Sequence, residues 1–484
     1  MVYVFIEIVI GEYIKMKFLL IKPGEYKNLN NFFLNAPTNS PPLGLLYLGA
    51  ILEQDGHEVE ILDYYMEDIS SEQLENSLRS SDAVGMTIYT DELKPSVNIS
   101  EMIKKIEPNI PLIIGGPHCS FVQKRALKDN QYADISVVGE GEHVIIDIAK
   151  YIQGKKKLNE IHGIYYKKNG LIKKGKSIEV IDNLDDLPFP AQSLVDKYDY
   201  GDFPFGYKLK KKVTSIETSR GCAFKCRFCT RYNNIIKEWG FRQRSAENVV
   251  KEILELDKKF NSILFVDDNF LADNKRAHKI FDMLLENGTD MDMLIEGARV
   301  YPADRKLYKK MKKAGVTFIT YGIESGNQDV LDFYNKKTTL DQIREAVNLA
   351  REMGFFINAS FILGAPIETE SHIENTIKFA CSLPIDIASF SPLGYIIGSQ
   401  LWREAVEEGK ISSDTFIEFA DSRKGLGNFT REELIENTYE ALRSFYLRPK
   451  YILGQIYRSI LRNDFNLLIN GWKFINFQSN ASRK

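Results

Sequence analysis

The sequence predicts an α/β protein with two successive alternating domains: a doubly wound, Rossmann-like parallel sheet over residues 16–150, then a partial (β/α)6, TIM-like barrel over residues 212–425. A connecting segment over 151–211 joins them, and a helical C-terminal region over 426–484 follows. Three observations carry this reading. Short apolar runs alternate with longer stretches of helical periodicity in both halves, as parallel βα sheets require. Glycines cluster where the runs end, which is where such sheets bind ligands. A chain of 484 residues also exceeds what one hydrophobic core serves.

In the first half the strands are Phe18–Ile21, Val59–Leu62, Ala83–Ile88, Leu112–Ile114 and Ile135–Val138. Helical patterns fall at Leu43–Gln54, at 71–80, near 96–106 and after Gly139-Glu-Gly-Glu142. Residues 151–211 are polar and lysine-rich, with a hairpin pattern over Gly163–Gly170 and the run Leu184–Pro190. They read as a linker packed on both neighbours. Six further strands, at Val213–Glu217, Ile263–Val266, Leu294–Ala298, Phe318–Gly322, Ile357–Leu363 and Asp386–Ser391, alternate with helices. Six units suit an open barrel with its chemistry at the strand C-terminal ends. The helical tail carries charges and aromatics (Tyr446, Tyr451, Tyr457, Trp472, Phe474). A cap on the barrel is the plainer reading; a membrane-surface or substrate-covering element is the other.

A net charge of −3 argues against a protein that grips nucleic acid through a broad basic field, so no nucleic-acid partner is expected. No segment reads as membrane-spanning, and Met1–Ile21 is broken by Glu7, Glu12, Lys15 and Lys17. Translation from Met16 is as compatible with the first strand as translation from Met1. Five cysteines are too few for a disulfide scaffold, and Cys222, Cys226 and Cys229 crowd into one loop. That usage belongs to a reducing, cytoplasmic compartment and to metal ligation.

The triplet follows the first barrel strand as Cys-x3-Cys-x2-Cys, within Thr218-Ser-Arg-Gly-Cys-Ala-Phe-Lys-Cys-Arg-Phe-Cys229. Iron–sulfur clusters usually take four cysteines. Three would leave one iron of a [4Fe–4S] cluster open, and open coordination positions are where metal chemistry occurs. Gly221 lets the chain turn beside the cluster, and Phe224 and Phe228 can shield it. A zinc site completed by a histidine is the alternative, but no histidine lies near the triplet, with His118 and His162 both distant.

A triplet placed after the first strand of a six-unit βα pattern resembles the radical S-adenosylmethionine (SAM) superfamily. That likeness implies that SAM chelates the fourth iron and is cleaved to a 5′-deoxyadenosyl radical. Phe241–Ser245 and Phe265–Phe270 resemble the family's first helix start and second strand end, with Asp267 implied near the methionine amine, although the common Gly-Gly-Glu form is absent. Phe318–Gly326 resembles the fourth-strand motif, implying Glu324 near the cofactor. Arg299 is implied to meet the SAM carboxylate, and backbone around Gly364, in Phe361–Glu368, to meet adenine.

The first half resembles the cobalamin-binding domain that precedes the barrel in one large subclass. The matching pieces are Pro42–Leu48, Gly85–Ile88, Gly115-Gly-Pro-His118 and Gly139–Glu142. The resemblance implies cobalamin contacts at Gly44, Thr87, Gly115 and Gly116. The stretch Asn39–Gly44 departs from the Asp-x-His-x-x-Gly pattern and offers no lower axial histidine; His57 and His118 read as ordinary loop residues. Cys119, in the Gly-Gly loop, and Cys381, on a helix, read as packing. They are too few for the second cluster of methylthiotransferase-type members.

The likeness runs through to Phe445–Pro449. It implies a cobalamin-dependent radical methyltransferase acting on an unactivated carbon of a small-molecule or lipid-like substrate. The alternatives are a radical cyclase, oxidase or rearrangement enzyme on a tetrapyrrole or lipid, and a non-catalytic iron–sulfur or cobalamin carrier. An electron donor of the flavodoxin or ferredoxin type is implied, since the sequence shows no flavin or second-cluster motif.

Overall fold

The computed structural model describes residues 15–24, 40–201, 207, 209–230, 239–463, 465 and 468–469. Asn39, Trp472, Phe474 and the stretch before Lys15 lie outside them. The chain forms two compact units. One holds the first strand, Gly44–Glu179 and Pro188–Val195; the other holds Val180–Leu187 and the chain from Asp196 onward.

The first unit is a seven-stranded sheet in the order β2-β1-β3-β4-β5-β6-β7. Its strands are β1 (Lys17–Lys22), β2 (Glu58–Asp63), β3 (Ala83–Thr87), β4 (Leu112–Gly115), β5 (Ile135–Val137), β6 (Ile164–Lys168) and β7 (Leu171–Lys174). The helices are α1 (Leu43–Gln54), α2 (Ser71–Arg79), α3 (Leu93–Ile106), α4 (Pro117–Val122), α5 (Ala126–Asp129) and α6 (Glu142–Ile152). β1 to β5 run parallel, and Phe18 to Ile21 are wholly buried, as apolar runs covered on both faces must be. Strand order reverses between β1 and β3, which makes a switch-point crevice at their C-terminal ends.

The hairpin corrects one expectation. Residues read as linker extend this sheet: β6 pairs antiparallel with β5 (Val137 beside Ile164, Ile135 beside Tyr166), and alternate residues Ile164 and Tyr166 are buried. Asn169 and Gly170 both take positive φ (53° and 73°), as a two-residue turn matching strand twist requires.

The second unit is a six-stranded parallel sheet in the order β15-β14-β13-β12-β11-β8. Its members are β8 (Val213–Ile216), β11 (Ser262–Phe265), β12 (Asp292–Ala298), β13 (Val316–Glu324), β14 (Phe356–Leu363) and β15 (Ile387–Pro392). Two short ribbons stand apart: β9 (Ser219–Arg220) with β10 (Arg242–Gln243), and β16 (Gly394–Ile396) with β17 (Ile417–Phe419). Its helices are α7 (Ala246–Leu256), α8 (Asn274–Asn287), α9 (Arg305–Lys313), α10 (Gln328–Phe333), α11 (Leu340–Glu352), α12 (Glu370–Ser382), α13 (Gln400–Glu407), α14 (Arg431–Tyr446) and α15 (Pro449–Arg462). β8 and β15 do not pair, so the barrel is open.

Val213, Leu264, Leu294, Phe318, Phe356 and Ile387 form one apolar cluster, one residue from each strand. A separate, larger core lies between the sheet and its helices. Because side chains alternate along a strand, the residues two positions on from the small cluster share its face: Ser215, Val266, Glu296, Thr320, Asn358 and Ser389. That next layer is mostly polar.

Candidate active site

The triplet loop leaves β8 and is fixed before it reaches the first cysteine. Asp267 accepts from Thr218 N (3.3 Å), Thr218 Oγ1 (2.8 Å) and Ser219 Oγ, while Arg276 donates to Thr218 O (2.9 Å) and Oγ1 (2.8 Å). Both oxygens of Asp267, which follows β11, are thereby bonded to the start of the triplet loop, a buried carboxylate satisfied by hydroxyls and a backbone N–H. Gly221 sits at φ +78°, and a Cβ there would lie 2.2 Å from Gly240 O, so only glycine fits the turn.

Beyond it, Cys222, Cys226 and Cys229 are half-buried and take no part in a disulfide. Among the described residues no three His, Cys, Asp or Glu side chains are grouped closely enough to hold one metal ion, so the triplet is not a preformed single-ion site. Thiolates of a cluster attach to separate irons and need no such convergence. The loop is tethered further on. Arg227 N donates to Tyr334 O (3.0 Å), its guanidinium pairs with Glu404 (2.6 Å), and Asn335 Nδ2 donates to Lys225 O (2.7 Å). The Phe228 ring meets Tyr334 edge-on at 5.0 Å.

Arg299 and Glu324 lie beside this loop. The Arg299 guanidinium stacks on Phe224 at 3.7 Å, lies within reach of Cys226, and donates to Thr338 Oγ1 (3.0 Å) and to the carbonyls of Lys336 and Lys337. Glu324 is buried and ion-paired with Lys336 Nζ at 2.6 Å. It closes a bulge in β13 at φ +72°, a left-handed backbone that non-glycine residues adopt under constraint. Gly322 makes room for the pair: a Cβ there would stand 2.5 Å from Glu324 Oε1.

Gly364 is held differently. At φ +100° its Cα faces Leu434, where a Cβ would come within 2.6 Å, and its N–H donates to Glu368 Oε2 (2.6 Å), as does that of Ala365 (2.7 Å). Its own N–H is therefore already engaged. Glu368 is wholly buried, its carboxyl pushed up to about 7 by burial, and its Oε1 has no partner among the described residues. The Tyr334 hydroxyl is likewise orphaned, and Glu368 and Glu324 both act on it electrostatically. Buried polar atoms are rarely left unpaired, so these two are open to a polar ligand. In the sequence Glu368 stands out only as part of the Phe361–Glu368 motif, and nothing there singles out Tyr334 or Lys336.

Glu296 is a second group that sequence reading missed. It stands in the polar layer on β12 with no hydrogen-bond or ion-pair partner among the described residues, and burial raises its carboxyl to about 7. The visible signal was a lone acid inside the apolar run Met293–Ala298. Asp268 is accessible to water yet surrounded by protein, as a group on a concave wall is; burial first and Glu217 second raise its carboxyl.

A pH prediction follows for Glu296. With its folded pKa above the unfolded value, the unfolded chain ionises first as pH rises, so stability falls between about pH 4.5 and 7. Glu296→Gln should therefore match the parent near pH 4 and exceed it at pH 8 by about 2 kcal/mol, allowing for partial solvent screening. Thermal melts of the apoprotein at the two pH values measure this; equal differences at both would refute the burial argument.

In the first unit Thr87, Gly115 and Gly116 come together at the C-terminal ends of β3 and β4. Gly116 has φ +95°, and a Cβ there would strike Thr87 Oγ1 at 2.7 Å and Ile88 N at 2.9 Å. Ser120 Oγ links this turn to the next, donating to Gly116 O and accepting from Gly139 N, both at 3.0 Å. Gly44 lies exposed in the first turn of α1, where a Cβ would meet nothing within 4 Å. At the ends of β1 to β3, Lys22 pairs with Glu92 and lies over the rings of Tyr89 (4.6 Å) and Tyr65 (5.1 Å), whose hydroxyl donates to Glu92 (3.1 Å).

The histidines are engaged elsewhere. His57 is buried at the opposite edge, accepting from Met16 N (3.2 Å), and His118 is buried near Thr90 and Asp129. Cys119 is wholly buried packing. Cys381, expected to be buried, is half-exposed on α12, with its thiol reaching Ser444 O at 3.7 Å, because α14 covers only one side of that helix.

Residues 216–380 match the family model of the radical SAM superfamily, and residues 32–149 that of the B12 binding domain. The "Uncharacterized methyltransferase PH0819" of Pyrococcus horikoshii is 32% identical over 91% of this chain and 95% of its own length. This chain belongs to the radical SAM superfamily. It falls in the subclass that also carries a B12 binding domain.

The cytidylyl-2-hydroxyethylphosphonate methyltransferase of Streptomyces wedmorensis is 26% identical over 89% of this chain and 90% of its own. The radical SAM enzyme OxsB, solved with aqua-cobalamin and SAM, shares the fold with a TM-score of 0.67, at 19% identity, covering 83% of this chain and 62% of that one. TsrM of Kitasatospora setae shares it at 0.65, with 19% identity and 82% and 75% coverage. The protein is thus a radical SAM enzyme whose cofactors are a [4Fe–4S] cluster, SAM and cobalamin. No helix among the described residues is long and apolar enough to cross a membrane.

Proposed function

We propose that this radical SAM enzyme is a cobalamin-dependent methyltransferase acting on an unactivated carbon of a small molecule. One observation carries the reading: a chain matching both family models puts Arg299, Glu324 and the three-thiol loop in one place, with no further cysteines for a second cluster. When bound, the cluster with SAM supplies a 5′-deoxyadenosyl radical that abstracts hydrogen, and cobalamin supplies the methyl group.

The residues divide the work of binding and orientation. Cys222, Cys226 and Cys229 hold the cluster. Arg299 offers charge-assisted hydrogen bonds to the SAM carboxylate, and stacking on Phe224 fixes its plane. Glu324, held by Lys336, faces the ribose or amine side, with the Tyr334 hydroxyl and Glu368 as further donors and acceptors. Gly364 brings backbone close to adenine. Asp267 is a positioning residue that fixes where the loop begins. Thr87, Gly115 and Gly116 let the nucleotide tail of cobalamin lie against backbone, with Gly44 at the start of α1 as a further contact. An electron donor of the flavodoxin or ferredoxin type completes the system.

Gly116→Ala should weaken cobalamin retention at least tenfold, because the added methyl fills the space before Thr87 and forces a left-handed alanine. Corrinoid absorbance after gel filtration reads this; full retention would remove Gly116 from the cradle. For the reaction itself, anaerobic reconstitution with reductant and substrate should accumulate 5′-deoxyadenosine and S-adenosylhomocysteine in equal amounts alongside methylated product. Deoxyadenosine without S-adenosylhomocysteine would overturn methyl transfer and favour cyclisation, oxidation or rearrangement. The anaerobic magnesium-protoporphyrin IX monomethyl ester cyclase of Cereibacter sphaeroides, 26% identical over 84% of this chain and 67% of its own, keeps that second reading open.

A further inference from the structure

The interior of the open barrel is closed at one level and accessible at the next. Leu294, Phe318, Phe356 and Ile387 are almost wholly buried, with the Phe318 and Phe356 rings stacked at 5.4 Å. One layer nearer the strand C-terminal ends, Glu296, Thr320, Asn358 and Ser389 are each partly accessible. Side chains in mid-strand are reached by water only where the barrel interior is not filled. The layer therefore lines a hollow above an apolar floor.

Glu296 enters this hollow through an extra residue in its strand. Ile295 stands beside Ile319 and Ala298 beside Tyr321, so Glu296 and Gly297 together oppose Thr320. Bulges of this kind re-aim a side chain. Gly297 has no room for one, since a Cβ there would stand 2.1 Å from Asp267 O, and Glu296 supplies the only side chain of the bulge. Thr320 is in register with Asn358, whose Nδ2 donates to Thr320 Oγ1 at 3.5 Å.

The groups gathered there lack donors. Asn358 Oδ1 is buried without a partner, and so is the hydroxyl of Ser215, a residue 1% exposed on the same face of β8. Burial alone raises the Glu296 carboxyl, so no charged side chain among the described residues acts on it. The cations beside the triplet loop are committed elsewhere, Arg299 to Phe224 and Thr338, and Lys336 to Glu324. A bare carboxylate in such a setting is best stabilised by a cation that also donates hydrogen bonds, and neighbouring carbonyl and hydroxyl oxygens suit the same group.

We propose that Glu296 is a specificity-determining residue that receives a protonated nitrogen of the substrate, with Asn358 Oδ1 and Ser215 Oγ as further acceptors. The substrate class is then an amine, its reacting carbon directed toward the strand C-terminal ends where Arg299 and Glu324 stand. The inference rests on reading this barrel as the place where the substrate meets SAM. A neutral hydroxyl would leave the carboxylate charge uncompensated, and an anionic group would be repelled.

The test is a ligand-observed NMR titration of the full chain, reconstituted anaerobically with cluster and SAM and left unreduced so that SAM stays intact. The probes are n-butylammonium and benzylammonium, with n-butanol, benzyl alcohol and butyrate as matched controls. Both ammonium ions should bind the parent at least about tenfold more tightly than the alcohols, butyrate should not bind, and Glu296→Gln should lose the preference. That variant relieves a buried charge, so a thermal midpoint no lower than the parent's and unchanged cluster absorbance show that it is folded. Ser215→Ala is a milder second variant, with a smaller loss. Equal affinity for ammonium and alcohol, equal ammonium binding by Glu296→Gln, or no ammonium binding by the parent would overturn the proposal. No turnover is involved, so the outcome is separate from that of the reaction: ammonium binding through Glu296 without formation of S-adenosylhomocysteine would refute methyl transfer and leave the amine subsite standing.

Discussion

Replacing Cys226 by alanine should abolish SAM cleavage while leaving the fold intact. The three thiols are half-buried and unbonded to one another, so their removal creates no large cavity and breaks no structural bridge. The loop is held by backbone and by Gly221, Asp267 and Arg227, none of which depends on sulfur. What is lost is one of three attachment points for the cluster. Iron after anaerobic reconstitution should drop from about four per chain to well under one, and 5′-deoxyadenosine should fall to background, with the apoprotein melting within about 2 °C of the parent. A variant that kept a full cluster and cleaved SAM would remove Cys226 from the ligand set.

Glu324→Gln should be the most destabilising single change near the site. Glu324 and Lys336 are both nearly closed to solvent, at 7% and 10% side-chain exposure, and each is the other's ion-pair partner. Removing one charge strands the other in a low-dielectric setting, which typically costs about 3–5 kcal/mol. The backbone at this position is also constrained, at a φ of +72° where a non-glycine residue is strained. Removing both charges should behave differently. Glu324→Gln with Lys336→Met should recover most of the lost stability in a denaturant titration and still bind SAM at least tenfold more weakly than the parent. If the double variant bound SAM normally, the pair would be architecture and not part of the ligand site.

The strands were legible because their apolar runs are buried on both faces, and each of those in the two parallel sheets falls within two residues of its expected bounds. Cys222, Cys226 and Cys229 were legible because ligand spacing survives in one dimension. What escaped depends on partners far away in sequence. The hairpin at Ile164–Lys174 is visible in its lysine-rich segment, but its membership of the first sheet rests on pairing with β5, which no local pattern encodes. Asp267 has the position of a ligand-facing acid, but its bonds to the hydroxyls of Thr218 and Ser219, with Arg276 beside them, cross between two strand ends and leave no local pattern. Tyr334, Lys336 and Glu368 gather around Glu324 through the return of two loops, which no periodicity encodes. Glu296 was visible as an oddity, but its lack of a partner is a property of the folded interior.

The strand order of the second unit bears on how the chain comes to be folded. Each strand from β8 to β15 lies beside its predecessor in sequence, so every new βα segment leaving the ribosome finds its docking edge already made, and little loop entropy is spent at any step. The first unit lacks this luxury at its start: β1 must be held between β2 and β3, both of which are synthesised after it. The six-stranded sheet can therefore grow as a zipper. The seven-stranded one has to wait for its third strand before its first is secure.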